Sequence, residues 1–193
     1  MTPIRVDSSA VEPVSLSEMR GHLRLDPDDT DEDDLLARLI TAARQAVEAE
    51  SRRLLAPGRW RITLTAWPAC GVVPVPLSPL TGIASVQQVD AAGTATPLPA
   101  GLLRLGPDPW EAPCLLLTGE RPPLGDGAAL IELSAGCGGA GPQPGPPVPA
   151  PLLQALRLAV ADAFENRGDG PGRRTALPET ALALIAPHRR LRL

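Results

Sequence analysis

The sequence predicts an α+β fold: a helical hairpin plus a C-terminal long helix forming a small bundle, with an inserted antiparallel β-sheet or sandwich and an extended C-terminal tail. Three observations carry that expectation. Apolar residues recur at helical spacing from Leu35 to Leu54 and again from Leu152 to Phe164. Between these stretches, RWRITLTAW, from Arg59 to Trp67, sets Trp60, Ile62 and Leu64 against Arg61, Thr63 and Thr65, the period of a half-buried strand. Gly136 to Pro149 is nearly all glycine and proline, a composition that cannot build a core and reads as a linker or an extended surface crossing.

The elements follow in order. Residues 1–13 lack periodicity and read as an extended arm. Residues 14–56 are the helical hairpin. In VSLSEMRGHLRL, Ser15 and Glu18 have the spacing of a capping box, Val14 and Met19 stand where a hydrophobic staple would, and Leu16, Met19 and Leu23 form the buried stripe. A second helix is expected over about Asp31 to Leu54, capped by Thr30, with Leu35, Leu36, Leu39, Ile40, Ala43, Ala46, Val47 and Leu54 forming the stripe that faces the core. Arg38, Arg44, Glu48, Arg52 and Arg53 lie mostly off that stripe.

Residues 57–135 form the inserted β region. Strands are expected at Val72 to Leu77, Ile83 to Asp90, Gly101 to Leu105, Cys114 to Thr118 and Ala128 to Ser134. Asp90-Ala-Ala-Gly93 reads as a hairpin turn, and prolines 74 and 76 place their segment on a sheet edge. Trp60, Trp67 and Trp110 are expected in sheet packing. After the linker, 136–150, a bundle-closing helix spans 151–168, started by proline and stopped by Gly168. The tail, 169–193, holds a short helix from Pro178 to Ala186; apolar and arginine-rich, it is expected to order only against a partner.

Composition bounds the chemistry. All 18 basic residues are arginine, and the aromatics are three Trp and one Phe. Formal charge is −4 but unevenly placed, because Asp26 to Asp34 packs seven of the 22 acids into nine residues while Arg173 to Leu193 carries five arginines and one acid. Such asymmetry suits ordered association and not general DNA binding, which wants a broad basic face. Cys70, Cys114 and Cys137 are scattered, and His22 and His188 are the only histidines, so the zinc spacings are missing and reduced, structural thiols in a cytosolic protein are expected. No stretch is long and apolar enough to read as a membrane span.

The acid run fails as a calcium loop. Counting from Asp29 puts Asp34 at the sixth position and Ile40 at the twelfth, where glycine and glutamate are required; counting from Asp26 puts Asp31 and Ala37 there. It serves first as a helix start, with acids facing the positive end of the helix dipole. GCGGAG, from Gly136, lacks the phosphate-loop pattern and the chain has no lysine. His22 is expected to border the helical core and His188 to be a contact residue, so no catalytic, metal or cofactor site is expected.

The ordered set VSLSEMRGHLRLDPDDTDEDDLLARLITAARQAVEAESRRLL, RWRITLTAWP, VPLSPLTGIASVQQVDAAGT and VPAPLLQALRLAVADAFENR, ending in LIAPHRRLRL, resembles the head-tail connector (adaptor) proteins of long-tailed bacteriophages and phage-like gene transfer agents. The resemblance runs from about Val14 to Arg167. It implies a structural protein of the virion or gene transfer agent particle, assembled in the bacterial cytoplasm and placed at the head-tail junction. There it would form a ring, usually of twelve, that joins the portal protein to a stopper or tail-terminator protein, with DNA passing non-specifically through its lumen.

Within that role Leu182, Ile185, Arg189, Arg190 and Arg192 are expected to dock into the portal, and removing Arg173 to Leu193 is expected to leave the fold intact. Asp26, Asp28, Asp29, Asp31 and Asp33 are expected either to face the channel or to meet a neighbouring subunit. Two rival readings stay open: a monomeric binding or assembly-chaperone module, and a magnesium-dependent enzyme using the Asp26 to Asp34 loop.

Overall fold

In a computed structural model, residues 1–7, 11–26, 28, 30–139, 144–166 and 177–190 are described. The chain divides into a sheet unit, Met1–Val11 with Ala56–Pro146, and a helical unit, Glu12–Leu55 with Pro147–Leu193.

The helical unit contains α1 (Leu16–Leu23), α2 (Asp33–Ser51), α3 (Ala150–Glu165), α4 (Glu179–Ile185) and a closing 3-10 turn (Ala186–His188). The capping box at α1 is complete. The Ser15 hydroxyl accepts the Glu18 N–H at 3.2 Å, and the Glu18 carboxylate accepts the Ser15 N–H at 2.8 Å. Val14 and Met19 are both buried beside it. The start of α2 differs from expectation: Glu32 is the N-cap, without a side-chain cap bond, and Thr30 contributes its carbonyl, which accepts the Asp33 N–H at 3.1 Å.

One apolar core serves all four helices. Met19, Leu36, Ile40, Val47, Leu152, Leu156 and Val160 are joined there by Leu177, Ala181 and Ile185. The last three recur every fourth residue, which puts them on one side of α4, and α3 packs against both α2 and α4. Residues 177–190 therefore fold on their own chain instead of forming an extended tail that waits for a partner.

Arg44 corrects another expectation. Its side chain is only 4% exposed, although its position on α2 falls off the aliphatic stripe. Its Nε donates to Glu12 Oε2 at 2.8 Å and its Nη1 to Glu48 Oε2 at 2.9 Å. Glu12 also accepts from the Thr41 hydroxyl at 2.9 Å, and Glu48 Oε1 accepts the Leu55 N–H at 2.8 Å. Burial disfavours the guanidinium charge, but the Glu12 and Glu48 carboxylates outweigh it and hold the Arg44 pKa above its ordinary value. Arg53 is likewise buried, with Nε donating to the His188 carbonyl at 2.7 Å.

The sheet unit holds two antiparallel sheets. The first runs β1-β2-β8-β4-β5, made of Ile4–Arg5, Gly58–Leu64, Ala128–Ala135, Leu80–Val89 and Ala95–Pro97; the second runs β3-β7-β6, made of Val72–Pro74, Cys114–Leu117 and Leu103–Leu105. Proline leaves Pro74 without an N–H and confines β3 to an edge, as expected. The β4–β5 hairpin turns at Asp90 to Gly93, where the Asp90 N–H donates to the Thr94 carbonyl at 3.1 Å and Gly93 takes φ 87.

Two segments read as an extended arm and as a linker or surface crossing make backbone hydrogen bonds within this unit. The arm supplies β1: the Val6 N–H donates to the Arg59 carbonyl at 2.9 Å, Arg5 stands 5.7 Å over the Trp60 ring, and Asp7 accepts from Arg5 Nε and the Arg59 N–H. Partial burial raises the Asp7 pKa, but those donors outweigh it and leave the carboxyl below its usual range. The glycine-rich stretch begins with Gly136, whose N–H donates to the Pro79 carbonyl at 2.9 Å. A Cβ at Gly136 would stand 2.1 Å from the Ala56 carbonyl oxygen, and φ is 115, so only glycine fits.

Two outcomes test this description. Arg44→Met should lower unfolding free energy by about 3 kcal/mol in urea titration, because it strands two carboxylates that share one buried cation. Glu18 is held below the usual carboxylate range by the Ser15 N–H, then by the Ser15 hydroxyl and Arg157. A depressed folded pKa contributes stability above the unfolded value of about 4.3 and loses it as pH falls through the folded pKa. Glu18→Gln should therefore flatten that acid limb of the stability curve, read by thermal melting from pH 7 downwards.

Candidate functional site: the charged poles of the helical unit

The two ends of α2 carry opposite charge. With 19 residues the helix is about 28 Å long at the standard rise per residue. At its N-terminal end Asp26, Asp28 and Asp31 are exposed, and Asp33 pairs with Arg20 at 3.3 Å. Arg20 also reaches the Asp26 carbonyl at 2.9 Å, while the Asp28 N–H donates to Asp26 Oδ1 at 3.0 Å. One arginine thus fastens the α1–α2 turn, with acids beside the positive end of the α2 dipole. Asp29 lies outside the described residues.

At the C-terminal end the closing turn of the chain folds over α2. The Arg190 N–H donates to the Ser51 carbonyl at 3.0 Å, satisfying a helix-end acceptor, and Arg52 Nη1 donates to the Arg190 carbonyl at 3.4 Å. Arg189 pairs with Glu50 and keeps its side chain 47% exposed. Arg52, Arg53, Arg189 and Arg190 therefore gather where the dipole favours cations. Sequence reading placed Arg189 and Arg190 in a free tail; it missed their meeting with Arg52 and Arg53, which no local pattern announces. Arg192 lies outside the described residues.

The apolar members of the expected docking set divide. Leu182 is partly buried against the core, and Ile185 is fully buried within it. Ile185 holds α4 to its own unit. The expectation that Arg173 to Leu193 can be removed without loss of fold is corrected as well, since the deletion takes Leu177, Ala181 and Ile185 out of the core.

His22 is exposed, contrary to its expected place beside the core, and lies in the last turn of α1. Among the described residues, no three His, Cys, Asp or Glu side chains gather as a metal-holding group. Among the described residues, no helix is long and apolar enough to cross a membrane. What the helical unit offers is two clusters of charge on a packed apolar core, with half-buried Leu182 on α4, the equipment of an assembly protein.

Comparison with known proteins agrees with that class. The family described as phage gp6-like head-tail connector protein matches residues 13–76, which span α1, α2, β2 and β3. Among solved structures, a chain in the neck of an empty gene transfer agent (GTA) particle, computed with C6 symmetry, is 31% identical with a TM-score of 0.83, covering 100% of this chain and 97% of that one. A chain in the virion of a native GTA particle is 31% identical with a TM-score of 0.81 over the same shares. A chain in the neck of a native GTA particle, computed with C12 symmetry, is 29% identical with a TM-score of 0.77. A comparison with curated proteins finds none that matches. This chain belongs to the head-tail connector family.

Because Ile185 is spent inside the fold, Ile185→Ala should lower unfolding free energy by about 3 kcal/mol, measured by denaturant titration. An unchanged midpoint would return α4 to the role of a loose docking tail.

Proposed function

We propose that this protein is the head-tail adaptor of a gene transfer agent or related phage particle, acting as a structural component and not as an enzyme. It forms a ring that joins the portal to the stopper or tail and lets DNA pass through its lumen. The observation that carries this reading is likeness over the whole chain, sheet unit included, to chains from GTA necks computed with C6 and C12 symmetry. A closed ring needs a heterologous contact, in which two different faces of one subunit meet.

The charged poles have roles in that assembly. Arg189, Arg190, Arg192 and the half-buried Leu182 dock on the portal, joined by Arg52; arginines set register and the apolar contact adds affinity. The acidic pole at Asp26, Asp28, Asp29, Asp31 and Asp33 lines the channel, where its field repels DNA phosphates and keeps the duplex from sticking. Contact of the same acids with an adjacent subunit is the other outcome of the test.

Mixing the purified chain with portal rings should give a capped particle, seen as added mass by light scattering and as an extra ring by negative-stain imaging. The paired substitution Arg52→Gln with Arg189→Gln should weaken that capping while lowering stability by no more than about 1 kcal/mol, because the contacts each side chain makes within the chain are exposed ones. Asp28→Asn with Asp31→Asn should leave assembly intact and alter DNA passage; loss of the ring instead would move the acids to a subunit contact. Failure of the wild-type chain to join portal rings at any salt concentration would favour a monomeric binding module.

A further inference from the structure

The poles lie on the helical unit and leave the sheet unit without a task. Yet all the large hydrophobic residues found exposed among the described ones, Met1, Ile4, Val6, Val11 and Val72, belong to that unit. Their placement is not scattered. Ile4 is 63% exposed and Val6 38%, at the free edge made by β1, while Val72, at 37%, lies on β3, an edge of the second sheet.

Strand parity tells which way these residues point. Trp60, Ile62 and Leu64 on β2 face inward, with Ile62 fully buried and paired to Ile131 on β8. Arg5, opposite Trp60 and over its ring, shares that inner face; Ile4, opposite Arg61, points outward. In the second sheet Val73, Leu103 and Leu115 are buried and face inward, so Val72, Pro74 and Leu116 point outward. The outward residues near β1 and near β3 thus belong to two different sheets of the unit.

The β3 side is unusual for a solvated sheet face. Strand β7 reads Cys-Leu-Leu-Leu, apolar on both faces, the pattern of a strand covered on both sides. Its outward Leu116 sits opposite Val72, and outward Cys114 sits opposite Pro74. With proline at 74, this edge is poorly suited to take an added strand, so contact here is side-chain packing on the face.

We propose that these two surfaces meet between neighbouring copies of this chain: Ile4 and Val6 of one copy pack on Val72, Pro74 and Leu116 of the next. A heterologous ring contact requires two different patches of one subunit, and the exposed apolar residues supply two, one on each sheet. This rests on the ring reading above and deepens it, since it gives the sheet unit a share of the ring contact.

A natural thiol makes the test direct. Cys70 is exposed beside Val72, with its Sγ 3.6 Å from the Val72 carbonyl oxygen. Ile4→Cys, assembled on portal rings and oxidised with diamide, which accepts two electrons and two protons as each disulfide forms, should give a ladder of dimers and larger multimers on non-reducing gels. Adding Cys70→Ser should abolish the ladder, and the wild-type chain should not form one. Separately, Val6→Asp or Val72→Asp should raise the concentration for half-assembly about tenfold, with melting unchanged. Rings that cap the portal normally, give no ladder and tolerate both aspartates would overturn the proposal alone. If the wild-type chain caps no portal, the ring reading fails first and this contact falls with it.

Discussion

The helical unit depends on one buried cation. Arg44 holds Glu12, the first residue of the unit, and Glu48, which in turn holds the N–H of Leu55, the last residue before the chain leaves for the sheets. A single guanidinium therefore ties down two of the three places where the chain passes into or out of the unit: the first entry at Glu12 and the exit at Leu55. Arginine suits this better than lysine, because its fixed fork presents Nε and Nη1 to two carboxylates at once. The aliphatic core supplies more free energy, but a core is tolerant of small shifts. A buried charge held by two named carboxylates specifies one arrangement.

The same logic operates at the far end of the chain. Arg53 binds the His188 carbonyl and Arg190 closes the last turn of α2, so the arginines that look like a solvated tail are partly structural. The cations that complement the α2 dipole are brought to that end of the helix because α4 is held by Leu177, Ala181 and Ile185.

A head-tail connector has to resist distortion while offering contact surfaces to other parts of the particle. The division into a helical unit and a sheet unit answers both needs, since each unit has its own buried interior and each carries its own kind of exposed residue. The helical unit displays charge at two ends of one helix. The sheet unit displays aliphatic residues at two sheet edges. Charge sets orientation and register at a contact, whereas apolar area adds strength without direction.

Local chemistry was legible in the sequence. The Ser15–Glu18 box, the hairpin at Asp90 to Gly93, the edge position forced by Pro74, the switch in period at Arg59 and the ordered set of segments that identifies the family all follow from residues close together in the chain. Partnership between distant residues was not. Arg44 looked solvated because Glu12, 32 residues away, gives no local sign of its approach. The arm read only as extended, because two residues of strand carry no period, and pairing with β2 is what makes them a strand. Ile185 looked like a free anchor because spacing reveals an apolar face but not what covers it. Periodicity and capping are set by bonds to near neighbours, which sequence records; burial and ion pairing are set by which surfaces meet, and only the tertiary structure decides that.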